Sequence, residues 1–277
     1  MSTTEKQPTT EEQLFQEASA AAPAPAPAAS TSTPAAGAVF RVGDTKERRN
    51  YRNAKGEKVD SVTQVTGVLD KPALLYWAWK LGTEGVSMDS AKRGAANIGV
   101  LAHARIEAWV RDMVFDEAGI DPQLLEASDG SVERFKAWWT DNSFVLDTTE
   151  YAMVSHHLNI GGRLDIRARR GDEKGPRVLV DIKTSKGFYS EMFIQVGGGY
   201  CELQAHPHLT ELPNGRWVEA EDVFDFDEVW LARVGKDEPG DMDACEIPRS
   251  EVMDLRKTFA GMALNHYNLK RTLSRHK

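Results

Sequence analysis

The chain has 277 residues, 34 lysines and arginines against 42 aspartates and glutamates, a formal charge of −8 and two cysteines. That balance argues against a strongly basic DNA coat, and two cysteines exclude a disulfide framework. No apolar run has membrane-spanning length and the N-terminus lacks a basic-then-apolar leader pattern, so the expectation is a soluble cytoplasmic protein.

Residues 1–37 are rich in Ala, Pro, Ser and Thr and offer too little apolar surface to fold. They read as a disordered tail, either a passive extension or, through a weak helix around Leu14 and Phe15, a partner-docking segment. Residues 38–277 have the composition of one folded domain. From Val39 a hairpin is expected, with its turn near Asn53 to Gly56. Between Phe40 and Lys58, Arg41, Lys46, Arg48, Arg49, Arg52, Lys55 and Lys58 face only Asp44, Glu47 and Glu57, a local balance of +4. With Tyr51 among them, this segment could grip phosphates while an aromatic meets a base. The competing reading is a solvated edge hairpin guarded by charge.

PALLYWAWKLG reads as a helix with Pro72 in its first turn and Tyr76, Trp77 and Trp79 in the core. In GVLAHARIEAWV, Gly99, His103 and Glu107 fall at four-residue intervals on one helix face, while Val100, Ile106 and Val110 supply an apolar side. The His–Glu pair is either an ordinary surface contact or part of a site. VERFKAWW repeats the helical pattern with Phe135, Trp138 and Trp139 as core.

Two strands then follow Glu150. In LNIGGRLDIRA, Leu158, Ile160, Leu164, Ile166 and Ala168 fall on one face and Arg163, Asp165, Arg167 and Arg169 on the other. In VLVDIK, Val178, Val180 and Ile182 share one side, Asp181 and Lys183 the other. A hairpin across Arg170 to Pro176 brings Asp165 beside Asp181. Two carboxylates on adjacent strands are the minimum protein ligation for Mg²⁺, and a lysine nearby can position water and offset charge growing on phosphorus. Asp-x-Lys is a common pattern, present also at Asp44 and Asp172, but only Asp181-Ile182-Lys183 follows an apolar run, where unpaired charge is costly. His103 suits transition metals, which points to Mn²⁺ being accepted as well.

Further on, Asp225, Asp227 and Glu228, in an acidic stretch beginning at Glu219, read as a solvated loop. His156, His157, His206 and His208 show no ligand spacing. EVWLARV reads as a strand, and VMDLRKTFAGMALNHYNLKRTL as a final helix. Its basic end (Lys270, Arg271, Arg275, Lys277) suits the helix dipole. The expected fold is α/β, a small mixed β-sheet flanked by α-helices.

From Ser61 to Val234 these residues resemble the RecB-like branch of the PD-(D/E)XK nuclease superfamily, which includes phage exonucleases and CRISPR-adaptation nucleases. Gly99-x-x-x-His103-x-x-x-Glu107, Glu150 followed by Gly162-x-x-Asp165, and Asp181-x-Lys183 match its motifs in order. Gln195 and Tyr200 are the candidates for a substrate-touching Gln and Tyr on the next helix. The resemblance implies a restriction-endonuclease-like core and a divalent-metal-dependent DNA nuclease, an exonuclease in recombination, repair or phage DNA processing. It implies Mg²⁺ or Mn²⁺ held by His103, Asp165, Asp181 and the Ile182 carbonyl, with Glu107 and Glu150 as direct or water-mediated ligands and Lys183 orienting the attacking water. Gln195, Tyr200, Arg163, Arg48, Arg49 and Arg52 would meet DNA that is single-stranded or has free ends, and the tail would meet a recombination or replication protein. The setting is the cytoplasm of a bacterium or phage-infected host. A non-catalytic nucleic-acid-binding or assembly protein, or an RNA nuclease, are the alternatives. One departure stands out: four residues, Val196 and three glycines, separate Gln195 from Tyr200 where the family has three, which on a regular helix rotates Tyr200 away. Some relatives carry an iron–sulfur cluster on four cysteines; Cys201 and Cys245 are too few, so none is expected.

Overall fold

The computed structural model describes residues 38–42, 50–69, 72–85, 87–235 and 241–274. The tail over 1–37 lies outside them, as do Lys46, Arg48, Arg49, Arg275 and Lys277.

The protein is built on a mixed sheet. Three long strands, β4 (Phe144–Ser155), β5 (Ile160–Arg170) and β6 (Arg177–Lys183), form its antiparallel centre. Beyond β6 lie β9 (Glu228–Val234), parallel to it, and β10 (Met242–Glu246). Beyond β4 lie β7 (His208–Glu211) and β8 (Trp217–Glu219), and the short β2 (Asp60–Ser61) adds to β5 in parallel. Among the described residues the sheet has eight strands, and helices cover both faces, as expected of an α/β fold.

On one face, α3 (Met88–Val110) and α4 (Pro122–Asp141) pack Ala102, Ile106, Val132, Phe135 and Trp139 against Ile166, Val178, Val180, Ile182 and Ala232. The start of α4 is fixed by its sequence: the Asp121 side chain accepts from the Gln123 N–H at 2.9 Å, and Pro122 follows the cap. On the other face, α1 (Val62–Thr66), a helical segment over 190–204 and α7 (Arg249–Ser274) cover Ile160, Leu164, Leu179 and Leu231. The helical segment is α5 (Ser190–Phe193), a π-helical turn (Ile194–Tyr200) and α6 (Cys201–Gln204). Ser61 and Gln64 close a capping box at α1.

Several expectations are corrected. The apolar residues of β5 do not share one face, since Ile160 and Leu164 enter one core and Ile166 and Ala168 the other. The switch falls at Asp165. Arg167, expected on a polar face, is buried between Asp147 and Asp222 with its guanidinium over the Tyr151 ring. Tyr76 and Trp79 of α2 (Pro72–Thr83) are 65% and 63% exposed, so α2 turns that aromatic side to solvent; the Trp77 side chain lies outside the described residues. Val100 of α3 is likewise exposed.

Among the described residues, the expected N-terminal hairpin is seen at its tip, around Asn53 to Gly56, with a bridge between Arg52 and Lys58. Phe40 instead sits in β1 (Val39–Phe40), parallel to β3 (Val114–Phe115), and buries its ring against Ala104 and Ala108 of α3. Tyr51 is half-buried, its ring packed with Val59, Val154 and Trp217. The acidic stretch is a solvated loop at Asp225 and Asp227, which stay exposed while pairing with Arg256 and the Arg177 N–H, whereas Glu228 begins β9 and is largely covered where it binds Arg170.

Candidate active site

The β5–β6 ladder runs from Arg169 paired with Arg177 to Ile166 paired with Val180, and stops there. Past this point the strands separate, and Asp165 Oδ2 takes the Ile182 N–H at 2.8 Å in place of a backbone carbonyl. A carboxylate is thereby spliced into the sheet at the mouth of a fork. Asp181, 1% exposed, lies on the opposite prong with Lys183 Nζ 2.5 Å from its Oδ2, so the two side chains share one side of β6 as the strand period requires.

β4 closes the fork from the other side. Thr149 pairs with Ile166 and Tyr151 with Leu164, which sets Glu150 across from Asp165. Glu150 has φ of 54°, a left-handed conformation that costs a non-glycine residue about 1–3 kcal/mol and concentrates at functional sites. Its Oε2 stands 2.6 Å from Arg163 Nη1.

α3 supplies the roof. His103 Nδ1 stands 3.9 Å from Asp165 Oδ2, and Glu107, one turn on, accepts from Arg111 at 3.0 Å and from the Thr149 hydroxyl at 3.3 Å. Gly99 permits this approach, because a Cβ there would lie 2.5 Å from the Thr184 hydroxyl just past β6. A small cavity is lined by His103, Glu107, Thr149, Glu150, Asp165, Ile166 and Ile182. Five of the residues singled out in the sequence therefore line one space, with Asp181 and Lys183 on the adjoining strand.

The π-helical turn corrects the expectation for Tyr200. Its wider i to i+5 pitch absorbs the additional residue, so Gln195 Nε2 donates to the Tyr200 hydroxyl at 2.7 Å while Gln195 Oε1 accepts from Lys183 Nζ at 3.3 Å. Two of the three glycines are required by packing: a Cβ on Gly198 would meet the Leu255 carbonyl oxygen at 2.7 Å, and one on Gly199 would meet Val62 at 2.4 Å.

Burial dominates the electrostatics. It pushes the Asp181 carboxyl up to about 6, helped by the neighbouring Asp165 and opposed by Lys183. Burial also raises Asp165, against Lys183, the Ile182 N–H and Arg163, and raises Glu107 against Arg111. The same burial lowers His103 to about 4, against the attraction of Asp181, and leaves its imidazole neutral at pH 7. Crowded carboxyls held toward their neutral form, beside a neutral imidazole and the Ile182 backbone, form a donor set suited to a divalent cation.

The other predicted contacts do not gather here. Arg163 is the exception, held at the cavity by Glu150, whereas Arg52 is exposed with its guanidinium on the Gly56 carbonyl at 2.6 Å. Arg48 and Arg49 lie outside the described residues. A second cluster was missed by the sequence: His157, Glu202 and His206 place ligand atoms within 4.8 Å of one another. Only the four-residue spacing of Glu202 and His206 hinted at it, and His157 is brought in by the fold.

No family model matches this chain, and no curated protein matches it by sequence. Among solved structures, SSO0001 is similar at 14% identity, over 50% of this chain and 60% of its own, with a TM-score of 0.26. The chain thus spans less than two thirds of that structure, and a likeness so slight carries no argument about fold or function. Among the described residues, no helix is long and apolar enough to cross a membrane.

Proposed function

We propose that the chain is a divalent-metal-dependent DNA nuclease, an exonuclease serving recombination, repair or phage DNA processing in a bacterial or phage-infected cytoplasm. The observation that carries this reading is the fork itself, where His103, Glu107, Glu150, Asp165 and Ile182 line one cavity beside the Asp181–Lys183 pair. Asp165, Asp181, His103 and the Ile182 carbonyl would hold Mg²⁺ or Mn²⁺, with Glu107 and Glu150 contributing directly or through water. A divalent ion bound there supplies positive charge to the oxygens of a phosphodiester. Lys183, bound between Asp181 and Gln195, would orient an attacking water. Gln195 positions that ammonium, and Tyr200 fixes the Gln195 amide. Arg163, steadied by Glu150, would meet a backbone phosphate.

End-labelled linear DNA, closed-circular DNA and labelled RNA, incubated with Mg²⁺, Mn²⁺ or EDTA, test the reading. Metal-dependent loss of the linear substrate alone is the expected result. Cleavage of both forms would make the enzyme an endonuclease, and cleavage of neither DNA nor RNA in either metal would leave a nucleic-acid-binding module without turnover.

A further inference from the structure

His157 lies in the turn between β4 and β5, while Glu202 and His206 lie one helical turn apart at the end of the 190–204 segment. His157 Nε2 is 3.3 Å from Glu202 Oε1, and His206 Nε2 is 3.1 Å from the same oxygen. In a tetrahedral site with bonds of roughly 2.0–2.1 Å, ligand atoms lie roughly 3.3–3.4 Å apart along each edge. Both separations fit those edges to within a few tenths of an ångström, and the two imidazoles lie together, 4.4 Å between centroids.

The surroundings hold these groups in place. Ser155 Oγ lies 3.0 Å from His157 Nδ1 and can accept a hydrogen bond from it, in the tautomer in which Nε2 offers its lone pair to a metal. Glu202 Oε2 accepts from Arg256 Nε at 2.7 Å, which orients the carboxylate and leaves Oε1 for the cluster. Arg256 in turn donates to Asp225 at 2.6 Å, so its charge is shared between two carboxylates. Its remaining nitrogen is 3.4 Å from His206 Nε2, a long contact that a bound cation would replace. The side chains of His157 and His206 are 43% and 41% exposed while that of Glu202 is 10% exposed, so a fourth position faces solvent.

We propose that His157, Glu202 and His206 form a second metal site, separate from the fork and selective for Zn²⁺ or a similar transition metal. Two imidazole nitrogens and one carboxylate oxygen favour such an ion over Mg²⁺. The site ties the β4–β5 turn, whose strands carry Glu150 and Asp165, to the helical segment that carries Gln195 and Tyr200. It does not depend on the nuclease reading.

The test uses full-length protein stripped with EDTA and titrated with Co²⁺, followed optically, and with Zn²⁺, followed by calorimetry, in wild type, His157→Gln, His206→Gln and Asp181→Asn. Wild type and Asp181→Asn should develop tetrahedral Co²⁺ bands that Zn²⁺ abolishes and excess Mg²⁺ does not. Each histidine variant should lose the bands and bind Zn²⁺ at least ~10-fold more weakly. Circular dichroism in EDTA checks that the variants are folded, as the exposure of both rings leads us to expect. Unchanged Zn²⁺ affinity in both histidine variants, absence of Zn²⁺ binding in wild type, or loss of the bands in Asp181→Asn alone would each overturn the proposal.

Discussion

Gln195 donates to the hydroxyl of Tyr200 at 2.7 Å although five positions separate them, because a π-helical turn brings i and i+5 onto one side. The same glutamine accepts from Lys183, so the hydroxyl, amide and ammonium form a line into the fork. Tyr200→Phe removes the first link and leaves the ring in its core. The melting temperature should fall by the equivalent of about 1 kcal/mol. Cleavage should slow roughly 10-fold as the lysine loses its fixed partner. A cleavage rate equal to wild type would remove Tyr200 from the positioning chain.

The glycine run makes a prediction of opposite sign to helix propensity. Gly198→Ala gains about 1 kcal/mol of propensity but forces a methyl to 2.7 Å from the Leu255 carbonyl oxygen and 3.0 Å from Phe259 Cβ. Overpacking costs about 1–3 kcal/mol, and the obstacle is backbone, which yields little. A net loss of stability in urea unfolding is expected; a more stable variant would mean that α7 can withdraw without penalty.

Asp181 should destabilise the metal-free fold at neutral pH. Its folded value, about 6, lies above the ordinary 3.8, so between these values the folded state binds more protons than the unfolded chain and stability from this group rises as pH falls. Asp181→Asn should therefore melt a few degrees above wild type at pH 8 in EDTA, with the difference fading by about pH 4. Mg²⁺ should reverse the order, since at 100 times its Kd a ligand adds about 2.7 kcal/mol to the form that binds it. Differential scanning fluorimetry across pH, with and without Mg²⁺, reads both effects.

Arg167 spans Asp147 and Asp222 and stacks on Tyr151, the residue after Glu150. Arg167→Ala should cost about 3 kcal/mol, because both its stacking and its ion pairs are lost from a buried position. Arg167→Lys should recover little, since an ammonium cannot reproduce the flat contact with the ring. Equal stability of the lysine variant and wild type by chemical denaturation would show that charge alone matters.

The sequence made legible what depends on period and adjacency. The alternation in VLVDIK placed Asp181 and Lys183 on one side, and the short turn from Arg170 to Pro176 correctly paired β5 with β6. The four-residue spacing of His103 and Glu107 likewise held on α3. What failed depends on tertiary context. The core switch within β5 follows from strand separation, which local alternation does not encode, and the exposure of Tyr76 and Trp79 follows from where α2 lies. The π-helical turn was hidden because a glycine triplet reads as a helix breaker until α1 and α7 are seen pressing on it. His157 joins Glu202 and His206 only through the sheet, so no spacing could announce it.

Asp165 carries two roles that can be separated. Its carboxylate completes the sheet by accepting the Ile182 N–H at 2.8 Å where the β5–β6 ladder ends, and it faces the cavity with His103 and Glu150. Asparagine keeps an oxygen acceptor for that N–H but loses the charge, whereas alanine loses both. Asp165→Asn should therefore retain most of the stability yet lose metal-dependent cleavage and weaken Mg²⁺ binding. Asp165→Ala should lose cleavage as well and in addition about 1–3 kcal/mol of stability, since the freed N–H sits in a part-buried fork. Denaturation and calorimetric Mg²⁺ titration of the pair distinguish the roles: equal stability of the two variants would mean that water replaces the carboxylate on Ile182, and undiminished Mg²⁺ affinity in both would remove Asp165 from the metal site.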